Sequence, residues 1–196
     1  MSRPRRATRP KQRALKCYTN VSEKRGNAML IKRENSYRLE TNGRFCYVVV
    51  LDCSHCPVCQ TKLLLRATRQ RVLYRSEEEK EILLIRRLYC TKCNQIHHEL
   101  PDCIVPYKRY SAEVIERATN GDARQDACSE STAARLRNWL ATIKPYFLHI
   151  LRALVSRHGV VFGTPPTFKE TVRAVVNSNS WIFANQICTC SVLRPQ

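Results

Sequence analysis

The sequence predicts an α+β chain, β-rich in its first half and all-helical in its second. Two Cys-x-x-Cys pairs, Cys56/Cys59 and Cys90/Cys93, bracket two branched and aromatic runs of strand length. Beyond about residue 110 the apolar positions recur at three- and four-residue steps, the period of helices packed on one face. Thirty-four Lys and Arg against 16 Asp and Glu leave a formal net charge of +18, which predicts attraction to a polyanion.

At 196 residues the chain suits one ordinary domain or two small ones, and a hydrophobic fraction of 43% is enough to build cores. Nucleic acid fits the charge better than an anionic membrane does. No apolar run approaches the roughly 18 residues of a spanning helix, and the N-terminus lacks the apolar centre of a secretory signal. A cytoplasmic protein without membrane attachment is expected, nucleoid-associated when bound to DNA. The 11 cysteines are an odd number, and in a reducing compartment they read as metal ligands and buried thiols rather than a disulfide framework.

Residues 1–16 carry Arg3, Arg5, Arg6, Arg9, Lys11, Arg13 and Lys16 with no acid, and read either as a basic arm for phosphates or a minor groove, or as a solvated tail. A β-rich module is expected over 17–104. Its early part is poorly periodic apart from an apolar run at 28–31, a short strand at most. Residues 45–51 form a clearer strand that leads into the first cysteine pair and joins the following sheet. Residues 63–74 and 82–89 are the next two strands, joined by the polar turn 76–80.

A Cys-x-x-Cys turn lets two thiolates reach one ion, and two such turns complete a tetrahedral site. Cys56, Cys59, Cys90 and Cys93 are therefore the expected ligands of one structural zinc ion, held in a zinc ribbon. The gap between the pairs is longer than usual, so the hairpin is long or carries a bulge. Cys53, His55, His97, His98 and Cys103 flank the pairs and leave the exchange of one ligand open. A redox dithiol would call for a βαβ context that is not readable here. A catalytic zinc would need an open position with a base beside it.

Pro101 and Pro106 make the segment after the second pair an extended connector, with a module boundary after residue 104 and a helical module over 105–196. Tyr107-Lys108-Arg109-Tyr110 interleaves cations with rings. Either Lys108 and Arg109 meet phosphates and sugars, or the tyrosines pack on the next helix. Ser111 caps a helix over 112–120, with Gly121 as its stop and a short turn or loop over 124–128. Ser129 caps a second helix to about residue 143, with Ala133, Leu136, Leu140 and Ile143 on one face and Ser131, Arg135 and Asn138 on another.

Two capped helices over about 111–143 resemble a helix-turn-helix, whose second helix enters the major groove. Arg135 would then pair with guanine and Asn138 with adenine, with Ser131 beside them. A three-helix bundle with a solvated polar face is the alternative. A third helix is expected from Pro145 to His158, stopped by Gly159, and a fourth from the cap Thr167 through Val176. Trp181-Ile182-Phe183 packs back on the helices, and Cys188 and Cys190 read as ordinary thiols.

Four motifs together resemble a bacterial family of unknown function, common in Firmicutes and often encoded beside mobile-element genes. They are Asp52-Cys53-Ser54-His55-Cys56-Pro57-Val58-Cys59, Ile85-Arg86-Arg87-Leu88-Tyr89-Cys90-Thr91-Lys92-Cys93, His98-Glu99-Leu100-Pro101 and Val105-Pro106-Tyr107-Lys108-Arg109-Tyr110-Ser111. The combination is similar to the zinc-ribbon plus helix-turn-helix N-terminal modules of insertion-sequence transposases. Ser129-Glu130-Ser131-Thr132 with Arg135 and Trp139 resembles the start of their recognition helix. The resemblance covers about Phe45 to Trp139 and thins beyond.

Such transposases continue into a nuclease domain with three metal-binding carboxylates, which this sequence does not offer. The resemblance thus implies a non-catalytic, double-stranded-DNA-binding accessory factor or regulator of a mobile element, working beside a transposase or recombinase. An adaptor that binds a recombinase or another protein partner, or a basic RNA-binding protein, is the alternative. Target site and oligomeric state are not written in the sequence.

Overall fold

The hairpin between the cysteine pairs is the axis of the fold. In the computed structural model, residues 28–120, 128–163 and 165–181 are described. The elements in chain order are β1 (Ala28–Lys32), β2 (Tyr37–Asn42), β3 (Phe45–Val50), β4 (Leu64–Tyr74), β5 (Lys80–Cys90), β6 (Gln95–Pro101), α1 (Ala112–Asn120), α2 (Glu130–His158) and α3 (Phe168–Asn177). The class is α+β, as expected.

β4 and β5 pair antiparallel over nearly their whole length, with the register shifting between Leu65 and Ala67. The hairpin is thus both long and bulged. The other edge of β5 serves two neighbours. β3 runs parallel to it from Phe45↔Ile82 to Tyr47↔Leu84, and β6 runs antiparallel from Arg86↔Glu99 to Cys90↔Gln95. One strand edge shared this way, added to the natural strand twist, curls the sheet into a half-barrel. β1 then extends the sheet in parallel beside β6, and β2 extends it antiparallel beside β3.

Burial along β5 switches parity midway. Leu83 and Ile85 belong to one core, whereas Leu88 and Cys90 belong to a second. Because successive side chains point to opposite faces, the two cores lie on opposite sides of the sheet. The larger core joins Leu83, Ile85 and Cys46 of the strands to Ile115, Ile143, Phe147 and Val175 of the helices. Each such fully buried aliphatic contributes roughly 1.5–3 kcal/mol through removal from water. The smaller core, with Leu30, Leu63, Leu88, Cys56 and Cys90, surrounds the cysteine pairs.

Several expectations change here. The segment 94–101 is not a connector but a paired strand whose residues 97–101 are buried. Pro101 fits because it ends the strand, where no further ladder donor is needed. β2, which the sequence did not reveal, pairs among the described residues with β3 alone. Ile104 and Val105, at the expected module boundary, are completely buried within the shared core.

The largest change is in the helices. A break was expected before Pro145, yet α2 runs unbroken for 29 residues with Pro145 inside it. Pro145 lies on the exposed side, and Ile143, Phe147 and Leu151 are buried on the other. Their burial outweighs the cost of one lost helical hydrogen bond.

The caps are mostly as read. Ser111 Oγ accepts from the Val114 amide, Thr167 and Glu170 form a reciprocal capping box, and Gly159 closes α2 at φ 61°. Ser129 occupies the N-cap position of α2, but its side chain makes no capping bond; its carbonyl accepts from Thr132 and Ala133 instead. Trp181 is buried against Phe147. The basic arm 1–16, the stop Gly121, residues 124–127, Ile182, Phe183, Cys188 and Cys190 lie outside the described residues. Among the described residues, no helix is long and apolar enough to cross a membrane.

Candidate metal centre and basic groove

Cys56 and Cys59 sit in the loop that enters β4, and Cys90 and Cys93 sit where β5 turns toward β6. The two turns are built alike. The residue after each second cysteine, Gln60 at φ 58° and Asn94 at φ 51°, adopts the left-handed conformation that folds the chain back under the thiols. The Gln60 amide donates to the Cys56 carbonyl at 2.9 Å, and the Cys93 amide donates to Cys90 Sγ at 3.4 Å.

The four Sγ atoms all lie within 4.8 Å of one another. Cys59 and Cys90 are 3.4 Å apart and Cys56 and Cys93 3.8 Å. A tetrahedral ion with metal–sulfur bonds of about 2.3 Å needs sulfurs roughly 3.8 Å apart, so the cluster can hold a metal ion.

The thiol chemistry agrees. Hydrogen bonds from the Thr61 hydroxyl and amide hold Cys59 down to about 6, whereas Cys93, engaged first with the neighbouring Cys59 thiol, is pushed up to about 12. Burial pushes Cys56 up. Four thiolates this close repel one another unless a cation sits among them.

The strand pleat sorts the competing ligands. His97 is fully buried on the metal side, with Nε2 3.5 Å from Cys56 Sγ, while Nδ1 is buried without a hydrogen-bond partner. Burial holds its pKa below the ordinary histidine value. His98 points the other way, toward Arg69, Arg71 and Arg87, and burial followed by those charges pushes its pKa down. Cys103 belongs to the large core. Cys53 is exposed, and His55 bridges to Lys62; neither is part of the sulfur cluster.

The first cysteine turn is fastened to the sheet by a buried carboxylate. Glu99 is 1% exposed; it pairs with Arg86 and accepts from the Ser54 hydroxyl. The Ser54 carbonyl in turn accepts from the Leu63 amide at 2.8 Å. Sequence reading missed this support, because only the β5–β6 register reveals Arg86 opposite Glu99.

A second candidate site lies at the other end of β4. The segment after Val105 lies parallel beside the end of that strand: the Tyr74 amide donates to the Arg109 carbonyl and the Ser111 amide to the Tyr74 carbonyl, at 2.8 and 3.0 Å. Arg71 Nη2 donates to the Lys108 carbonyl at 2.9 Å. An open cavity of about 710 Å³ forms there, lined among others by Tyr107, Lys108, Arg109, Thr132 and Arg135. Three of the expected nucleic-acid-binding residues therefore meet in one groove.

Lys108 Nζ also lies 4.1 Å from the centre of the Trp139 ring. Arg135 folds onto its own helix, donating to the Ser131 carbonyl and the Thr132 hydroxyl. Ser131 and Asn138 are exposed at the helical spacing of Arg135, yet they do not line the cavity. Tyr110 packs against Tyr74 with ring centres 5.5 Å apart, whereas Tyr107 is 54% exposed.

Residues 56–139 match the model of a family described as a domain of unknown function (DUF6431), a span that starts at the first metal-cluster cysteine and ends at Trp139. No curated protein and no solved structure matches the chain.

Proposed function

We propose that the chain is a zinc-binding, DNA-binding protein that acts without catalysis, as an accessory factor or regulator of a mobile element beside its transposase or recombinase. The observation that carries this reading is the convergence of Lys108 and Arg109 from a turn with Arg135 from α2 on one open groove, in a chain of net charge +18. Zinc is the ion of choice for four closed thiolates, which leave no position for substrate. Its role is then to fix the fold rather than to react.

In this reading α1 and the start of α2 serve as the helix-turn-helix. Ser131, Arg135 and Asn138 form the exposed stripe that reads base edges. Selection of random duplex DNA by the zinc-loaded protein tests it, an enriched motif being the expected result. Arg135→Ala and Asn138→Ala should relax that motif while leaving the salt dependence of binding nearly unchanged. Equal weakening on every sequence would remove α2 from base reading, and no retention of DNA would overturn the proposal.

One observation favours an adaptor as the second reading. The C-terminal part of α2 borders an open apolar cavity of about 530 Å³, lined by Leu148, Leu151, Val155, Val161 and Phe162 among others. Exposed apolar surface of that kind suits a protein partner such as a recombinase. Co-purification with the recombinase in the absence of DNA would support it.

A further inference from the structure

We infer that the groove beside β4 takes unpaired DNA bases, with the Tyr107 ring as the platform on which one of them stacks. The inference rests on the nucleic-acid reading above and names the form of nucleic acid at that site.

The backbone supplies the first reason. The Lys108 amide donates to the Val105 carbonyl at 3.1 Å, Pro106 follows Val105, and Tyr107 has φ 61°. These are the features of a type II turn, whose third position is unstrained only for glycine or asparagine. A tyrosine there is held in a conformation that costs stability, and such strain concentrates at functional positions. The ring does not repay it by packing, being 54% exposed and outside both cores.

The surroundings supply the second. Tyr107 lines two open cavities of about 510 and 710 Å³, which share Tyr74, Tyr107 and Arg109. Each has the volume of a small-molecule pocket. Arg71, Lys80 and Arg109 line the first; Arg109 and Arg135 line the second. Burial and the neighbouring Arg69 both act against the charge on Arg71, so an anion placed there relieves a crowded set of cations. Glu77 also lines the second cavity, but it already accepts from the Ser129 amide at 2.7 Å.

Rings and cations in alternation match the alternation of base and phosphate along a single strand. A paired duplex hides its base faces in the stack and offers an exposed tyrosine nothing to lie against. An unpaired or extruded base offers a free face.

The test compares a labelled oligothymidylate with a duplex of equal length, each titrated with the full zinc-loaded chain. Tyr107→Gly should weaken single-strand binding by about 5- to 150-fold, weaken duplex binding far less, and keep or raise the melting temperature, since glycine suits the turn. Tyr107→Trp should retain single-strand binding. Unchanged single-strand binding by Tyr107→Gly, or loss of affinity together with loss of stability, would overturn the inference. If the wild-type chain binds duplex and ignores single strands, this inference fails and DNA binding stands; if it binds neither, both fail. Tyr107-dependent binding of a ribonucleotide oligomer of equal length, with none of the oligothymidylate, would overturn the assignment to DNA.

Discussion

His97 stands beside the four-cysteine cluster in a way that would support a bound ion without ligating it. A neutral imidazole has one N–H, and Nδ1 is buried with no acceptor in reach. The proton therefore belongs on Nε2, which lies 3.5 Å from Cys56 Sγ and can donate to the metal-bound thiolate. His97→Phe should weaken zinc binding by about 10- to 100-fold, while the cobalt-substituted protein keeps the intense absorption of four sulfur ligands. A mixed sulfur and nitrogen spectrum in wild type that His97→Phe removes would make His97 a ligand instead. The four cysteines were legible because a two-residue spacing by itself brings thiols together. The role of His97 was not, since adjacent histidines on a strand face opposite sides and only strand pairing says which side holds the metal.

The elements were legible where a signal was local and obscured where it was not. The branched and aromatic runs of β3, β4 and β5 and the caps of α1 and α3 announce themselves within a few residues. β6 did not, because Pro101 and the polar run His97-His98-Glu99 hide its local hairpin with β5, and its other neighbour, β1, lies some 70 residues earlier. Pro145 misled for the opposite reason: a proline is a strong local breaker that tertiary packing overrode. With α2 continuous through an exposed Pro145, Pro145→Ala should stabilise the zinc-loaded protein by about 2 kcal/mol, the helix-interior penalty less the entropy that proline removes from the unfolded chain. Urea unfolding measures this. A neutral or destabilising result would mean that the proline serves as the first residue of a separate helix.

At the scale of the molecule, the two faces of the sheet separate two tasks. The face covered by helices has a large core without the cysteine pairs, while among the described residues the opposite face has a buried core of Leu30, Leu63 and Leu88 besides the cysteines. So few apolar side chains do little to offset the ordering of the two cysteine turns, and an ion held by the four thiolates would supply the difference. Chelation should therefore loosen the cysteine end of the hairpin and leave the helices folded. Hydrogen exchange would then accelerate at Cys56, Leu63 and the turn after Cys90, with little change at Ile143 or Val175, and the helical circular dichroism would persist. Acid should act in the same direction, because protons compete with zinc for the thiolates: affinity falls as pH falls, and the second cysteine turn, whose Cys93 thiol is pushed up to about 12 without metal, should loosen with the first. Simultaneous loss of helical signal and metal at every pH would show a single cooperative unit, in which β5 carries the disruption from one face of the sheet to the other.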